Sequence, residues 1–429
     1  MFKIDFSKIK TVHFIGIGGI GTSAVARMFL YPERSREGVG ISVSGSDVAE
    51  SEVTEELRKL GAKVSIGQRA ENVPADCDLV IYTIAVTPDN PEFAEAKKRG
   101  IPMLSYPEVL GIISKEKYTI AISGTHGKTT TTAMIAKIMI DAGLDPTVIV
   151  GSFLNDTKTN FIAGKSKYLV VEACEYRRSF LNLSPKILVI TNIDADHLDY
   201  YKDLDDIKSA FAELAAKVPK DGFIVGHPMF EAPNIGCPIF PTDFTLKVPG
   251  KHNLENAKAA LAVARALKIP EKTAFKSLSE FSGTWRRFEY RGKAKNGALV
   301  YDDYGHHPTE ISATLQGARE LFPTEKIVVV FQPHLYSRTK QHLSEFGKCF
   351  SHADAVILLP IYPAREQDPG NISSEMVVTE IKKNNRSAYF VKTFAEAAVC
   401  AQKLSCTGDL VLTLGAGETN KVADILVSK

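Results

Sequence analysis

From Thr11 almost to the C-terminus, short apolar runs rich in β-branched residues alternate with longer runs of helix-forming composition. Over the first 115 residues TVHFIGI, GISVSG, DLVIYTI and IPMLS alternate with GTSAVARMFL, SEVTEELRKLG and PEFAEAKKRG. A strand followed by a helix returns parallel to itself, so this order predicts βαβ units and parallel sheets. A second set opens with YTIAIS at Tyr118 and runs through a helix after Lys128, the strands YLVVEA and KILVITNI, and the helix-like IKSAFAELAAKV. The pattern pauses at GTWRRFEYRG, residues 283–292, and a third set follows: GALVYDDY, EISATLQGARELF, KIVVVFQ, DAVILLPIY and DLVLTLGAG. A chain of 429 residues exceeds one ordinary core. Three α/β domains are expected, at 1–115, 116–282 and 283–429.

Composition narrows the partners. The chain is 44% apolar and 24% charged with a formal net charge of +2, and it has no block of like charge that would recruit nucleic acid or a membrane surface. Small-molecule partners are therefore expected, with the chain itself a monomer or homodimer. Its six cysteines (Cys77, Cys174, Cys237, Cys349, Cys400, Cys406) show no two-residue gap of the zinc or redox kind, which suits a reducing cytoplasm. The N-terminus has neither a signal-peptide core nor a membrane-length apolar run.

Two glycine-rich loops carry the chemistry. The first, Gly16-x-Gly18-Gly19-x-Gly21, lies between a strand and a helix, where backbone N–H groups and the helix N-terminus can hold a diphosphate. Ser46 and Asp47 close the next strand, and Asp47 could meet a ribose hydroxyl. Alone, this loop also fits a nicotinamide oxidoreductase or a tight turn with no ligand. The second, Gly124-Thr125-His126-Gly127-Lys128-Thr129-Thr130, adds what an oxidoreductase does not need: a lysine for β- and γ-phosphate oxygens and a hydroxyl for Mg²⁺. It lacks the early glycine of the usual phosphate loop, since Ile122 stands there. Acidic and histidine ligands are expected at the carboxyl ends of neighbouring strands. Glu172 ends YLVVE, and ILVITNIDADHLDYY supplies Asp194, Asp196, His197 and Asp199. Thr129 and Glu172 would hold one Mg²⁺ and His197 could support a second. The three aspartates are equally compatible with helix-cap or solvated-loop roles.

GTHGKTTTT, the Glu172 strand end, TNIDADHLDYY, GKHNLENAKAA, TWRRFE, DDYGHHPTE, FQPHLYSRT and LGAGE occur in the order seen in the Mur ligases of peptidoglycan synthesis. The chain resembles that family over nearly its whole length. There the phosphate loop is itself written Gly-Thr-x-Gly-Lys-Thr, so Ile122 is no defect. The resemblance implies an N-terminal Rossmann-like UDP-binding domain, a central ATPase domain and a C-terminal Rossmann-like domain bringing the amino acid. It implies ATP and Mg²⁺ as cofactors, with UDP-N-acetylmuramate as the carboxylate and L-alanine as the amine. Gly16, Gly18, Gly19, Gly21, Ser46 and Asp47 then serve the UDP-sugar. His252, Asn253 and Asn256 match the adenine-side motif, Arg286 or Arg287 reaches phosphate, and Asp303 contacts ATP. Tyr304, His306, His334 and Arg338 match the amino-acid site, with Lys128, Glu172, His197 and His307 as the catalytic set.

Three positions depart from the family pattern. EACEYRRSF puts Cys174, Tyr176, Arg177 and Arg178 where relatives carry acids and a serine. Leu335 stands where relatives often have arginine, which puts more weight on Arg338. The carbamylated lysine of several sister ligases falls near Phe211, so that modification is not expected. The nearest alternative on the same scaffold is a recycling ligase that adds a preformed tripeptide. A phosphate-loop switch without ligase activity leaves DDYGHHPTE unexplained.

Overall fold

The computed structural model describes residues 4–31, 40–154, 159–198, 200–226, 240, 244–364, 366–384 and 386–428, so Asp199 and Cys237 lie outside the described residues. The chain forms two compact units, Met1–Ile239 with Ala259–Ser277, and Phe240–Lys258 with Leu278–Lys429.

The first unit holds two sheets. Strands β1 (Thr11–Ile15), β2 (Ser42–Asp47), β3 (Lys63–Ile66), β4 (Leu79–Tyr82) and β5 (Met103–Ser105) form a sheet in the order β3-β2-β1-β4-β5. Every pair in it is parallel. The second sheet comprises β6 (Tyr118–Ser123), β7 (Thr147–Ile149), β8 (Phe161–Ile162), β9 (Tyr168–Glu172), β10 (Ile187–Ile190) and β11 (Phe223–Gly226), in the order β11-β10-β6-β9-β7-β8. Only the edge strand β8 runs antiparallel. The other unit carries β12 (Glu289–Lys293), β13 (Leu299–Asp303), β14 (Ile327–Phe331), β15 (Ala355–Leu358), β16 (Ser387–Phe390) and β17 (Leu410–Leu414), ordered β12-β13-β17-β14-β15-β16 with β12 antiparallel. The three-domain α/β expectation therefore agrees with three separate sheets.

Central strands are covered on both faces and read as unbroken apolar runs, because neither face meets water. Every residue of β10 and β14 is fully buried. Edge strands lack that signature. Of the six, only β5 stands out in the sequence pattern; β3, β8, β11, β12 and β16 do not, nor does the short β7. Strand β12 lies largely in the stretch read as a polar pause, because it pairs on one side only, has a register shift between Tyr290 and Gly292 and leaves Tyr290 half exposed. Among the described residues no helix is long and apolar enough to cross a membrane.

Candidate active site

Strand β6 is flanked by β9 and β10, with Ile122 opposite Glu172 and Ser123 opposite Ile190. This register brings three carboxyl ends together: the glycine loop after β6, Glu172 on β9, and TNIDADH after β10. Parallel sheets collect ligand-binding groups at that edge. Gly124 has φ +132°, and a Cβ there would sit 2.0 Å from Thr191 Oγ1, so only glycine fits. The loop is stitched to the segment after β10: Thr125 N donates to Asn192 O (3.0 Å), His126 N to Asn192 Oδ1 (2.9 Å) and Asp194 N to Thr125 Oγ1 (2.8 Å). His126 Nε2 lies 3.3 Å from Asp194 Oδ2.

Lys128 opens the helix Lys128–Asp141 and folds back over its own loop. Its Nζ donates to Gly124 O (2.6 Å) and Thr125 O (3.0 Å) and pairs with the buried Glu175 carboxylate at 2.9 Å. Burial is the largest influence and works against the ammonium charge, but the Glu175 charge, with smaller contributions from Cys174, Glu172 and the Glu175 hydrogen bond, outweighs it and holds Lys128 above the ordinary lysine range. Burial, then the Glu175 charge, pushes the neighbouring Cys174 up to about 12, so it is a neutral thiol at pH 7. Thr129 Oγ1 donates to Glu172 Oε2 at 3.0 Å, and Gly151 N donates to the same oxygen at 2.7 Å. A Cβ on Gly151 would lie 2.5 Å from that carboxylate, so the glycine keeps space around it. Hydroxyl and carboxylate oxygens suit Mg²⁺, and Thr129 in the first turn of its helix with Glu172 at its strand end fits it.

His197 has φ +56°. Its Nε2 is 3.6 Å from Glu175 Oε1 and 3.9 Å from Asp196 Oδ2, and its ring packs on Tyr176 at 4.9 Å. These contacts join His197 to Lys128 through Glu175, a residue the sequence reading did not select. The Tyr201 hydroxyl donates to the Glu175 carbonyl. The signal available in sequence was the E-x-x-E spacing from Glu172. Phe211, at the place of the modified lysine, is fully buried against Phe180, with ring centroids 5.2 Å apart.

The first glycine loop is held from below. Gly16 N and Ile17 N donate to Ser46 O, and Gly18 N donates to Asp47 Oδ2 at 2.8 Å. A Cβ on Gly21 would strike the Tyr106 ring at 2.5 Å, which packs helix against helix tightly there. Ser46 behaves differently from the expectation that it meets a UDP-sugar. Its hydroxyl is fully buried and donates to Glu92 Oε2 at 2.6 Å. Glu92 also faces His13 Nε2 (3.1 Å), Asn72 Nδ2 (2.6 Å) and Arg69 N (3.1 Å), a polar cluster no motif announced. Four donors compensate a buried carboxylate, so Ser46 supports the loop from inside.

In the other unit, Asp303 ends β13 and is buried. Burial pushes its carboxyl up to about 6 against the Arg287 charge and the Gly305 and Phe288 N–H groups. Arg286 is a structural pin: Nε donates to Asp302 Oδ2 (2.6 Å), Nη1 to Gly417 O (2.8 Å) and Nη2 to Gly415 O (2.7 Å) and Thr419 Oγ1 (2.8 Å). Arg287 lies over the Tyr304 ring at 5.3 Å, and of the basic pair only Arg286 is committed to these inward bonds. Asn253 and Asn256 begin the helix Lys251–Ala266; Asn253 Nδ2 donates to Pro249 O (2.6 Å) and Asn256 Nδ2 to Asn253 Oδ1 (3.3 Å). His252 adjoins them, its ring against Gly250. Arg338 donates to His334 Nδ1 at 3.2 Å, and the His334 ring lies 5.8 Å from His306 and 5.7 Å from Tyr362. The four residues expected at the amino-acid site are thus gathered at one sheet edge, the Tyr304 and His306 rings meeting edge to face with centroids 5.5 Å apart.

His307 fits the role of base poorly. It is buried and caps the helix Pro308–Leu321, its Nδ1 accepting from Thr309 N at 3.3 Å. In the neutral ring that acceptor puts the proton on Nε2, so the one nitrogen able to take a proton is Nδ1, which the helix cap already occupies.

Three α/β sheets, with a lysine-and-threonine phosphate loop on the second and a strand-end glutamate against its hydroxyl, define a three-domain phosphate-loop α/β protein. The chain belongs to the Mur ligase family. Residues 11–118 match the model described as Mur ligase family, catalytic domain, 122–228 the Mur ligase middle domain, and 286–417 the Mur ligase, glutamate ligase domain. It is 41% identical to the UDP-N-acetylmuramate–L-alanine ligase of Agathobacter rectalis, covering 100% of both chains. The similarly named protein of Clostridium kluyveri matches at 41%, again over 100% of each. Among solved structures, the UDP-N-acetylmuramate–alanine ligase of Thermotoga maritima superposes with TM-score 0.81 at 31% identity, covering 97% of this chain and 98% of that one. A murein peptide ligase from Psychrobacter arcticus shares the fold with TM-score 0.70 at 22% identity, over 97% and 98% of the two chains.

Proposed function

We propose that the protein joins L-alanine to the carboxylate of UDP-N-acetylmuramate, using ATP and releasing ADP and phosphate, in the cytoplasmic assembly of peptidoglycan precursors. The observation that carries this reading is full-length similarity, at 41% identity, to relatives named for that reaction. The domain limits proposed with it are 1–115 for the UDP-sugar, 116–282 for ATP and 283–429 for the amino acid.

The chemistry follows from what a carboxylate lacks. It is a poor acylating agent in water, so its oxygen first attacks the γ-phosphorus of ATP, the bond to ADP breaks, and an acyl phosphate forms. The alanine amine then attacks the acyl carbon, the C–N bond forms, a proton leaves the nitrogen, and phosphate departs with the C–O electron pair. Positioning and water exclusion make both steps possible. Lys128 would neutralise charge on the transferring phosphoryl group. Thr129 and Glu172 would hold Mg²⁺, which supplies charge neutralisation and a template for the phosphates. Gly16 to Gly21, braced by Ser46 and Asp47, would seat the UDP diphosphate at a helix N-terminus. Asn253, Asn256, His252, Arg287 and Asp303 would serve the nucleotide. Arg338, held against His334, would fork onto the alanine carboxylate with Tyr304 and His306 beside it.

The test mixes purified protein with ATP, Mg²⁺, UDP-N-acetylmuramate and L-alanine, glycine, L-serine or a murein tripeptide, and reads product mass and ADP. The expected product is the L-alanyl conjugate, with one ADP per amide. ADP release indifferent to both acceptor and amine would sink the reading, and a preference for the tripeptide would move it to the recycling reaction.

A further inference from the structure

An ammonium group has three protons to donate. Lys128 has three acceptors, Gly124 O at 2.6 Å, Thr125 O at 3.0 Å and the Glu175 carboxylate at 2.9 and 3.1 Å. A phosphate oxygen can therefore reach Lys128 only by displacing one of them. The two carbonyls belong to a loop whose backbone is fastened by Asn192 and Asp194. Glu175 is the charged acceptor, and an incoming phosphate repels it. Its alternative partner is already close, since His197 Nε2 lies 3.6 Å from Oε1. Its main chain need not move, because the carbonyl is anchored by the Tyr201 hydroxyl. The pair is nearly dry, with side-chain exposures of 14% for Lys128 and 4% for Glu175, so each charge needs a partner at all times.

We propose that Glu175 is a positioning residue that stands in for the γ-phosphate. It keeps Lys128 charged and folded across the loop, yields it when the triphosphate enters, and turns to His197. This rests on the reading that the loop takes ATP, and the stand-in has a signature opposite to that of a simple brace. Removing a competitor tightens nucleotide binding, whereas removing a brace weakens it.

Calorimetry with Mg²⁺ and a non-hydrolysable ATP analogue, and separately with ADP, tests it. Glu175→Gln keeps the shape without the charge and is expected to bind the analogue about fivefold or more tightly than the parent protein, as expected when a competing state is removed. The gain for ADP is smaller, and it vanishes in a Lys128→Ala background. Unchanged or weaker binding of the analogue, or an equal gain for ADP, overturns the proposal. Should Glu175→Gln melt early, Glu175→Asp, whose shorter carboxylate reaches Lys128 less well, is read in its place with the same expected direction. If the parent protein binds neither nucleotide, the ATP reading of the loop fails first, which keeps the two failures apart.

Discussion

The loops at Gly16–Gly21 and Gly124–Thr129 share one plan, a buried strand, a turn that needs a positive-φ glycine and a helix pointing its N-terminus at the turn. They differ in what surrounds the turn. At the first, a carboxylate of the same sheet, Asp47, accepts from Gly18 N, and the residue after the last glycine is Thr22, which is buried. At the second, the residue after the last glycine is Lys128, ion-paired to Glu175, and Glu172 meets the next hydroxyl. Glycine only lets a backbone come close to phosphate. Whether the loop holds a phosphate or helps transfer it depends on the cation after the glycine and the acids on adjacent strands.

That division can be broken by mutation, beginning where the effect should be greatest. Lys128→Ala is expected to lower kcat on the order of 10³-fold while leaving the UDP-sugar KM nearly unchanged, as loss of a preorganised charge does, and to lower the melting temperature because it leaves the buried Glu175 carboxylate unpaired. A rise in UDP-sugar KM instead would mean the loops are not separate in function. Gly124→Ala forces a Cβ 2.0 Å from Thr191 Oγ1 and should lower kcat/KM for ATP by about 10²-fold, with a melting loss from strain of about 1–3 kcal/mol. Calorimetric binding of UDP-N-acetylmuramate should survive it. Gly16→Ala is the mirror experiment: its Cβ would lie 2.6 Å from the Thr83 methyl, and the UDP-sugar KM should rise about tenfold at constant ATP KM. An equal rise in both would erase the contrast. Smallest is Asp47→Ala, which frees one loop N–H and should raise the UDP-sugar KM only about threefold, the value of one modest hydrogen bond. A loss as large as that of Gly16→Ala would make Asp47 a direct ligand.

Much of this contrast is legible before any coordinates. Lys128, Thr129 and Glu172 could be picked because each follows an apolar strand-like run, and open parallel sheets place strand ends together. The amino-acid cluster of Tyr304, His306, His334 and Arg338 follows instead from the family resemblance, since its members come after β13 and β14, which only the sheet order brings to either side of β17. Glu175 was passed over because its partner, Lys128, is 47 residues away. Ser46 and His307 look like ligands in a motif, yet they turn inward to Glu92 and to a helix cap, because side-chain direction depends on strand pleat and helix entry.

By itself, the sequence determined the alternation of strand and helix, the three α/β domains and the two glycine loops, because period, β-branching and turn residues act over a few neighbours. Tertiary structure alone decided which acid faces Lys128, which of Arg286 and Arg287 is spent as a pin, and which edge strands complete each sheet. Those outcomes rest on burial and charge pairing between residues far apart in the chain, where a hydrogen bond or an ion pair has no local signature.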